Sequence, residues 1–298
     1  MNHKKQHYIP QTYLSSWCDI ECPEEYEKYV WMFSYNGEIV KKKSPKNIFH
    51  ETDLYTIVDD DGNRVLDIEH GFSELENVFT IIRDNKLNKH ISLTLEERYY
   101  ILLFVAAIHN RTPSIRDYLS KQYCELLELG RLLKQDYEKA SPEKRSAMAS
   151  IGPIDDKGRT FTLDDIEKLS SEPLQTLMLP RINAEFNCYS KMFMSILCTD
   201  DEIGFITSDN PCVWFDPEAY KRPPMYRAAG LGYKTIEVTM PISPSQAIFI
   251  SYTPLPFYVP VKISNVDSIN RKTRFSAYRY FIVNRNYKND YWFKDLKP

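Results

Sequence analysis

The chain opens polar and becomes amphipathic: Tyr13, Leu14 and Trp17 take a helical spacing just after Pro10, which suits the first turn of a short helix. His7 and Tyr8 stand on the segment that enters this helix. The run 29–35 (YVWMFSY) meets Asn36-Gly37, and EIVKKK follows as its hairpin partner. Residues 47–58 (NIFHETDLYTIV) continue as extended chain and close on a cluster of Asp, Gly and Asn.

From about residue 66 the period becomes helical. Ile68, Phe72, Leu75, Phe79 and Ile82 form one apolar stripe. Thr94 with Glu97 has the capping-box pattern and starts a helix into ILLFVAAIHNRTPSIR (101–116), which Pro113 must interrupt. Beyond Pro113 an amphipathic helix is expected to about residue 135. The polar segment 140–159 reads as a loop, Thr162 with Asp165 begins a short helix, and 173–197 reads as a long helix kinked at Pro180.

The last third changes character. Residues 204–215 (GFITSDNPCVWF) read as strand, turn, strand, and a proline-rich loop follows. Two β-rich runs meet at Ser243-Pro244, then a helix over 265–280 leads to a closing strand, FIVNR. Strands at both ends and helices between them predict an α+β fold. Its mixed or antiparallel sheet would be built from N- and C-terminal strands and packed against a central helical block. Residues 1–298 would form a single domain, with a boundary near residue 200 as the alternative.

Composition narrows the function. Lys and Arg number 38 against 41 Asp and Glu, a net charge of -3, so no global cationic field captures nucleic acid. Nine glycines are few, and neither G-x-G-x-x-G nor the P-loop pattern occurs. Cys18 and Cys22 are followed by no second close pair at zinc-ribbon spacing. Cys124, Cys188 and Cys198 fall in expected helices and read as core thiols. All six cysteines read as reduced; with no signal peptide and no bilayer-length apolar run, the chain reads as soluble and cytoplasmic, with no membrane contact.

Polar residues that interrupt apolar elements are the candidates for chemistry. Glu69 and Glu76 lie within about 20° of each other on the expected helix, an acid pair or a shelf for a divalent metal such as Mg. His7 and Tyr8, His109, the arginines Arg111 and Arg116 around Pro113, and Asp209-Asn210 complete the set. Each has an ordinary alternative: a solvated glutamate, a turn-capping side chain, or a buried arginine paired with an internal carboxylate.

Taken together, His7-x-x-Pro10-x-x-Tyr13-Leu14, Arg111-Thr-Pro-x-x-Arg116, Ser208-Asp209-Asn210-Pro211 and Pro241-x-Ser243-Pro244 resemble a widespread bacterial family of roughly this length, known as a domain of unknown function. The resemblance runs from His7 to Asn284 and implies one architecture with a polar centre. It also implies glutamine near position 109, which would make His109 a packed support. It supplies no activity.

The residues themselves suggest a nuclease or phosphoesterase-like effector acting on nucleic acid or nucleotide, in a phage-defence or toxin setting. Arg111, Arg116, Tyr8 and Asn210 would bind the substrate, and His7, Glu69, Glu76 and Asp209 would carry the chemistry. The competing reading is a non-enzymatic module that senses a nucleotide or a partner protein, or self-associates, its arginines forming a binding site or a structural ion-pair network.

Overall fold

The computed structural model describes residues 5–59, 61–149 and 162–294. The chain enters as strand β1 (Lys5–His7) and turns into α1 (Gln11–Leu14), with Pro10 as the N-cap. The expected hairpin is β2 (Val30–Ser34) and β3 (Val40–Lys43), turned by Gly37 at φ 71°. Short strands β4 (His50–Thr52), β5 (Ile57–Val58) and β6 (Arg64–Val65) follow. Helix α2 (Asp67–Asn85) buries Phe72, Leu75, Phe79 and Ile82 from the apolar stripe. Helix α3 (Leu95–Asn110) begins at the capping box of Thr94 and Glu97 and is buried continuously from Phe104 to Asn110. Phe79 and Phe104 stack at 3.7 Å where α2 meets α3.

Helices α4 (Pro113–Lys139), α5 (Pro142–Ala149), α6 (Leu163–Ser171) and α7 (Pro173–Tyr189) come next. The segment read as a loop from 140 therefore contains a helix, α5, which Pro142 starts at a position where its missing N–H is no loss. Residues 150–159 of that segment lie outside the described residues. The helix expected over 173–197 stops at Tyr189, and Phe193–Cys198 is strand β7. An apolar run of that length suits either state; here β7 is paired on both sides, which local spacing cannot reveal.

The remaining elements are β8 (Thr207–Ser208), β9 (Val213–Phe215), β10 (Glu237–Ser243), β11 (Gln246–Ser251), β12 (Tyr258–Pro260), α8 (Ile263–Ser276) and β13 (Tyr280–Val283). One sheet runs β3-β2-β13-β8, so N- and C-terminal strands do share a sheet; a second runs β12-β7-β11-β10-β9. The chain crosses between them in the few residues from Ser208 to Val213. Pairing is antiparallel except between β12 and β7. Gly204, at φ 62°, lets Phe205 donate its N–H to the Pro244 carbonyl at 2.7 Å; a Cβ there would lie 1.9 Å from the Pro244 oxygen.

The chain divides into two compact units, residues 1–113 with 180–298, and residues 114–179. In the smaller unit, Arg131 of α4 pairs with Glu167 of α6 at 3.3 Å, and Leu119, Leu127, Ile166 and Leu169 are buried. The six cysteines are free thiols, but Cys124 is exposed and Cys198 lies in a strand, so neither is the helical core thiol expected. No helix among the described residues is long and apolar enough to cross a membrane.

Candidate functional site

Tyr13 ties two of the sequence motifs together and also reaches Thr207, the residue just before a third. Fully buried, its hydroxyl donates to the Pro241 carbonyl at 2.6 Å and shares a 2.7 Å hydrogen bond with Thr207. Burial holds its phenol well above the usual range, so it remains a donor. Trp17, one turn on, donates to the Phe205 carbonyl at 2.8 Å. The short N-terminal helix is thus pinned into the C-terminal half by side-chain to backbone bonds.

Arg111, the residue that ends α3, is the centre of a second cluster. Its side chain is 1% exposed. Its Nη1 donates to Glu76 Oε1 at 2.8 Å, its Nε donates to the Tyr8 carbonyl at 3.0 Å, and its guanidinium carbon lies 4.9 Å from the Phe72 ring centroid. Tyr55 and His7 both lie within reach of the Glu76 and Arg111 charges, and Tyr55 also feels Glu69. Burial lowers the His7 pKa. Its Nε2 sits 3.3 Å from the Lys46 carbonyl, and its ring meets His50 edge-on at 5.2 Å. Tyr8 is buried against Phe49, and burial first, then the charge of Asp209, pushes its phenol above its usual range. His7, Tyr8, Glu69, Glu76 and Arg111 therefore share one neighbourhood, with Asp209 in reach of Tyr8.

Asp209 is 2% exposed and its carboxylate is taken up by the main chain. Oδ1 accepts from the Tyr278 N–H at 2.8 Å, and Oδ2 from the N–H groups of Arg279 and Tyr280 at 2.7 and 3.0 Å. Burial nevertheless raises its pKa to about 6. Asn210 donates to the Ser276 carbonyl at 3.0 Å. Both residues fasten the turn between α8 and β13. Arg116 belongs to the smaller unit and donates to Asp117 of its own helix at 2.8 Å. Among the described residues, no three His, Cys, Asp or Glu side chains gather as a metal site requires.

A third cluster forms on the other side of the α3 terminus. His109 Nδ1 lies 2.9 Å from Glu185 Oε2, and the imidazole packs on Trp214 at 4.7 Å. Tyr189 donates to Glu185 at 3.3 Å and accepts from Trp214 Nε1 at 2.9 Å. Burial keeps both the Tyr189 phenol and the nearby Cys212 thiol protonated, raising each well above its ordinary pKa. Arg181, 3.6 Å from Glu185 Oε1, donates Nε to Asn110 Oδ1 at 2.7 Å and keeps 31% of its side chain exposed. Among the described residues His109 Nε2 has no hydrogen-bond partner. Chemically this is an imidazole oriented by a carboxylate, with a partly exposed guanidinium beside it.

The motif residues joined by Tyr13, Arg111 and Asp209 fall inside a stretch, residues 5–286, that matches the model of DUF4238, a protein family of unknown function. The chain belongs to the DUF4238 family. No curated protein and no solved structure matches it.

Within the DUF4238 match, the expected site separates into parts. The carboxylates of Glu76 and Asp209 are engaged by Arg111 and by backbone amides. A further polar cluster is buried His109 with buried Glu185 and half-buried Arg181, the last two being residues that sequence reasoning missed. Arg181, Glu185 and Tyr189 fall at successive four-residue steps on one face of α7, but Gln175, Thr176, Asn183 and Asn187 are polar as well, so spacing alone did not single them out.

Proposed function

We propose that the chain cleaves phosphate esters of nucleic acid or nucleotide by acid–base catalysis, with His109 as the proton-transfer group. The observation that carries this is the 2.9 Å contact of His109 Nδ1 with Glu185, which leaves Nε2 without a partner among the described residues. Glu185 holds the ring in one tautomer, and Nε2 takes the proton of a water as its oxygen bonds to phosphorus; the carboxylate meets the positive ring, and the bond from phosphorus to the leaving oxygen breaks as that oxygen takes the proton from Nε2. Arg181, with 31% of its side chain exposed, is the cation of the cluster suited to non-bridging phosphate oxygens. A defensive or toxic role fits a small effector of this chemistry.

A second reading rests on Arg111. A guanidinium this buried, bonded to Glu76 and to the Tyr8 carbonyl, favours an internal brace, as a non-enzymatic sensing module would also use. The test is turnover of bis(p-nitrophenyl) phosphate and of a labelled single-stranded oligonucleotide by the full chain, against His109→Gln, Glu185→Gln and Arg181→Ala. Turnover that persists unchanged in His109→Gln rejects the enzymatic reading.

A further inference from the structure

Helix α4 carries two apolar faces, and the smaller unit uses one of them. On that side Leu119 and Leu127 are buried, the Ser120 hydroxyl donates to the Ser170 carbonyl of α6, and Arg131 pairs with Glu167. About 100° round the helix runs a second stripe: Tyr118, Gln122, Leu126, Leu129, Leu133 and Tyr137. All six are exposed, the leucines and tyrosines by between 40% and 59%. Single exposed leucines are ordinary. Three in line with two tyrosines along one helix form a contiguous apolar patch of the kind that marks an interaction surface.

The stripe reads alike from both ends. Its steps are four, four, three, four and four residues. A two-fold axis between Leu126 and Leu129 therefore sets Leu126 of one copy against Leu129 of a second, Tyr118 against Tyr137, and Gln122 against Leu133. The charges on the flank agree. Lys121, whose exposed ammonium lies 4.0 Å from Glu125 of its own helix, and Asp136 stand on the same side near opposite ends. The same axis brings Lys121 of one copy beside Asp136 of the other, whereas a parallel pair leaves them about 22 Å apart along the helix. The stripe is about 28 Å long, and two of them bury on the order of 1,000 Å², the lower bound for a specific interface.

We propose that this face is covered by a second copy of the chain, the two α4 helices lying antiparallel about a two-fold axis. A different partner imposes no symmetry on the stripe, whereas a two-fold pair is matched only if its stripe reads alike from both ends. The pairing of Lys121 with Asp136 fixes the antiparallel order and the register. Nothing in this rests on the chemistry at His109, which belongs to the larger unit.

Sedimentation equilibrium of the full chain from about 1 to 100 μM tests the association, and an interface of this size should give a micromolar dimer. Leu129→Glu should weaken it at least about a hundredfold with an unchanged circular dichroism spectrum, because the charge is buried only in the dimer. Lys121→Glu should weaken it about tenfold, and Lys121→Glu combined with Asp136→Lys should restore it. Order is read by cross-linking in a Cys124→Ser background, which removes an exposed native thiol. Under copper-phenanthroline oxidation, Gln122→Cys and Leu133→Cys should form a disulfide-linked dimer when mixed, and neither should when alone. Should Leu129→Glu fail to fold, the charge reversals and the cross-links decide. A chain monomeric throughout the range, as expected if another protein or another stretch of this chain were the occupant, overturns the proposal. So does association unaltered by Leu129→Glu, no rescue by the double reversal, or cross-linking of Gln122→Cys with itself.

Discussion

Arg111 Nη1 lies 2.8 Å from Glu76 Oε1, and this contact links the end of α3 to the middle of α2 with the guanidinium 1% exposed. Removing one member of such a pair leaves the other charge buried, which costs more than the attraction contributed. Arg111→Ala is expected to lower unfolding free energy by about 3–5 kcal/mol. Glu76→Gln, whose amide oxygen still accepts, should cost about 1–3 kcal/mol. Urea denaturation of both variants checks this, and a fully stable Arg111→Ala would show that the brace is not structural.

The contact between His109 and Glu185 predicts a different pattern. His109→Gln should lose about 10²–10⁴-fold in turnover while its urea midpoint stays near wild type. Arg181→Ala should raise KM more than it lowers kcat. Parallel loss of fold and activity in His109→Gln would point to packing instead.

Asp209 should make stability depend on acidity. Its carboxyl titrates near pH 6 in the fold against an ordinary 3.8, because burial opposes the charged form. Between those values the folded state holds the extra proton. The contribution is therefore fully present below pH 3.8 and is lost as pH rises through 6, by at most about 3 kcal/mol. In a series of urea titrations from about pH 4 to pH 7, the stability of wild type minus that of Asp209→Asn should shrink as pH rises. A difference that stays level would contradict the assignment.

Tyr13→Phe removes a hydroxyl that serves both Pro241 and Thr207 in the buried centre. The stranded carbonyl and threonine should cost about 1–3 kcal/mol. Thermal unfolding measures it, with Tyr99→Phe, at an exposed position, as the neutral comparison.

Local rules recovered most elements and misplaced those decided at a distance. The stripe on α2, the capping boxes at Thr94 and Thr162, and the hairpin at Asn36-Gly37 depend on neighbours within a few residues. β7 does not: its apolar run lies between β11 and β12, and only that pairing makes it a strand. The candidate site divides the same way. Arg181 and Glu185 share one face of a helix with several other polar residues, and the histidine that Glu185 meets lies 76 residues away in sequence.

By itself the amino-acid sequence determined an α+β chain and marked polar residues set among apolar ones, because periodicity, capping and turn chemistry act over short spans. Only the tertiary structure decided what each polar group faces. At the end of α3 it turned Arg111 inward to Glu76 and Tyr8, and His109 toward Glu185 and Trp214. Asp209 went to three backbone amides for the same reason: a group removed from water must find its partner wherever packing has placed one.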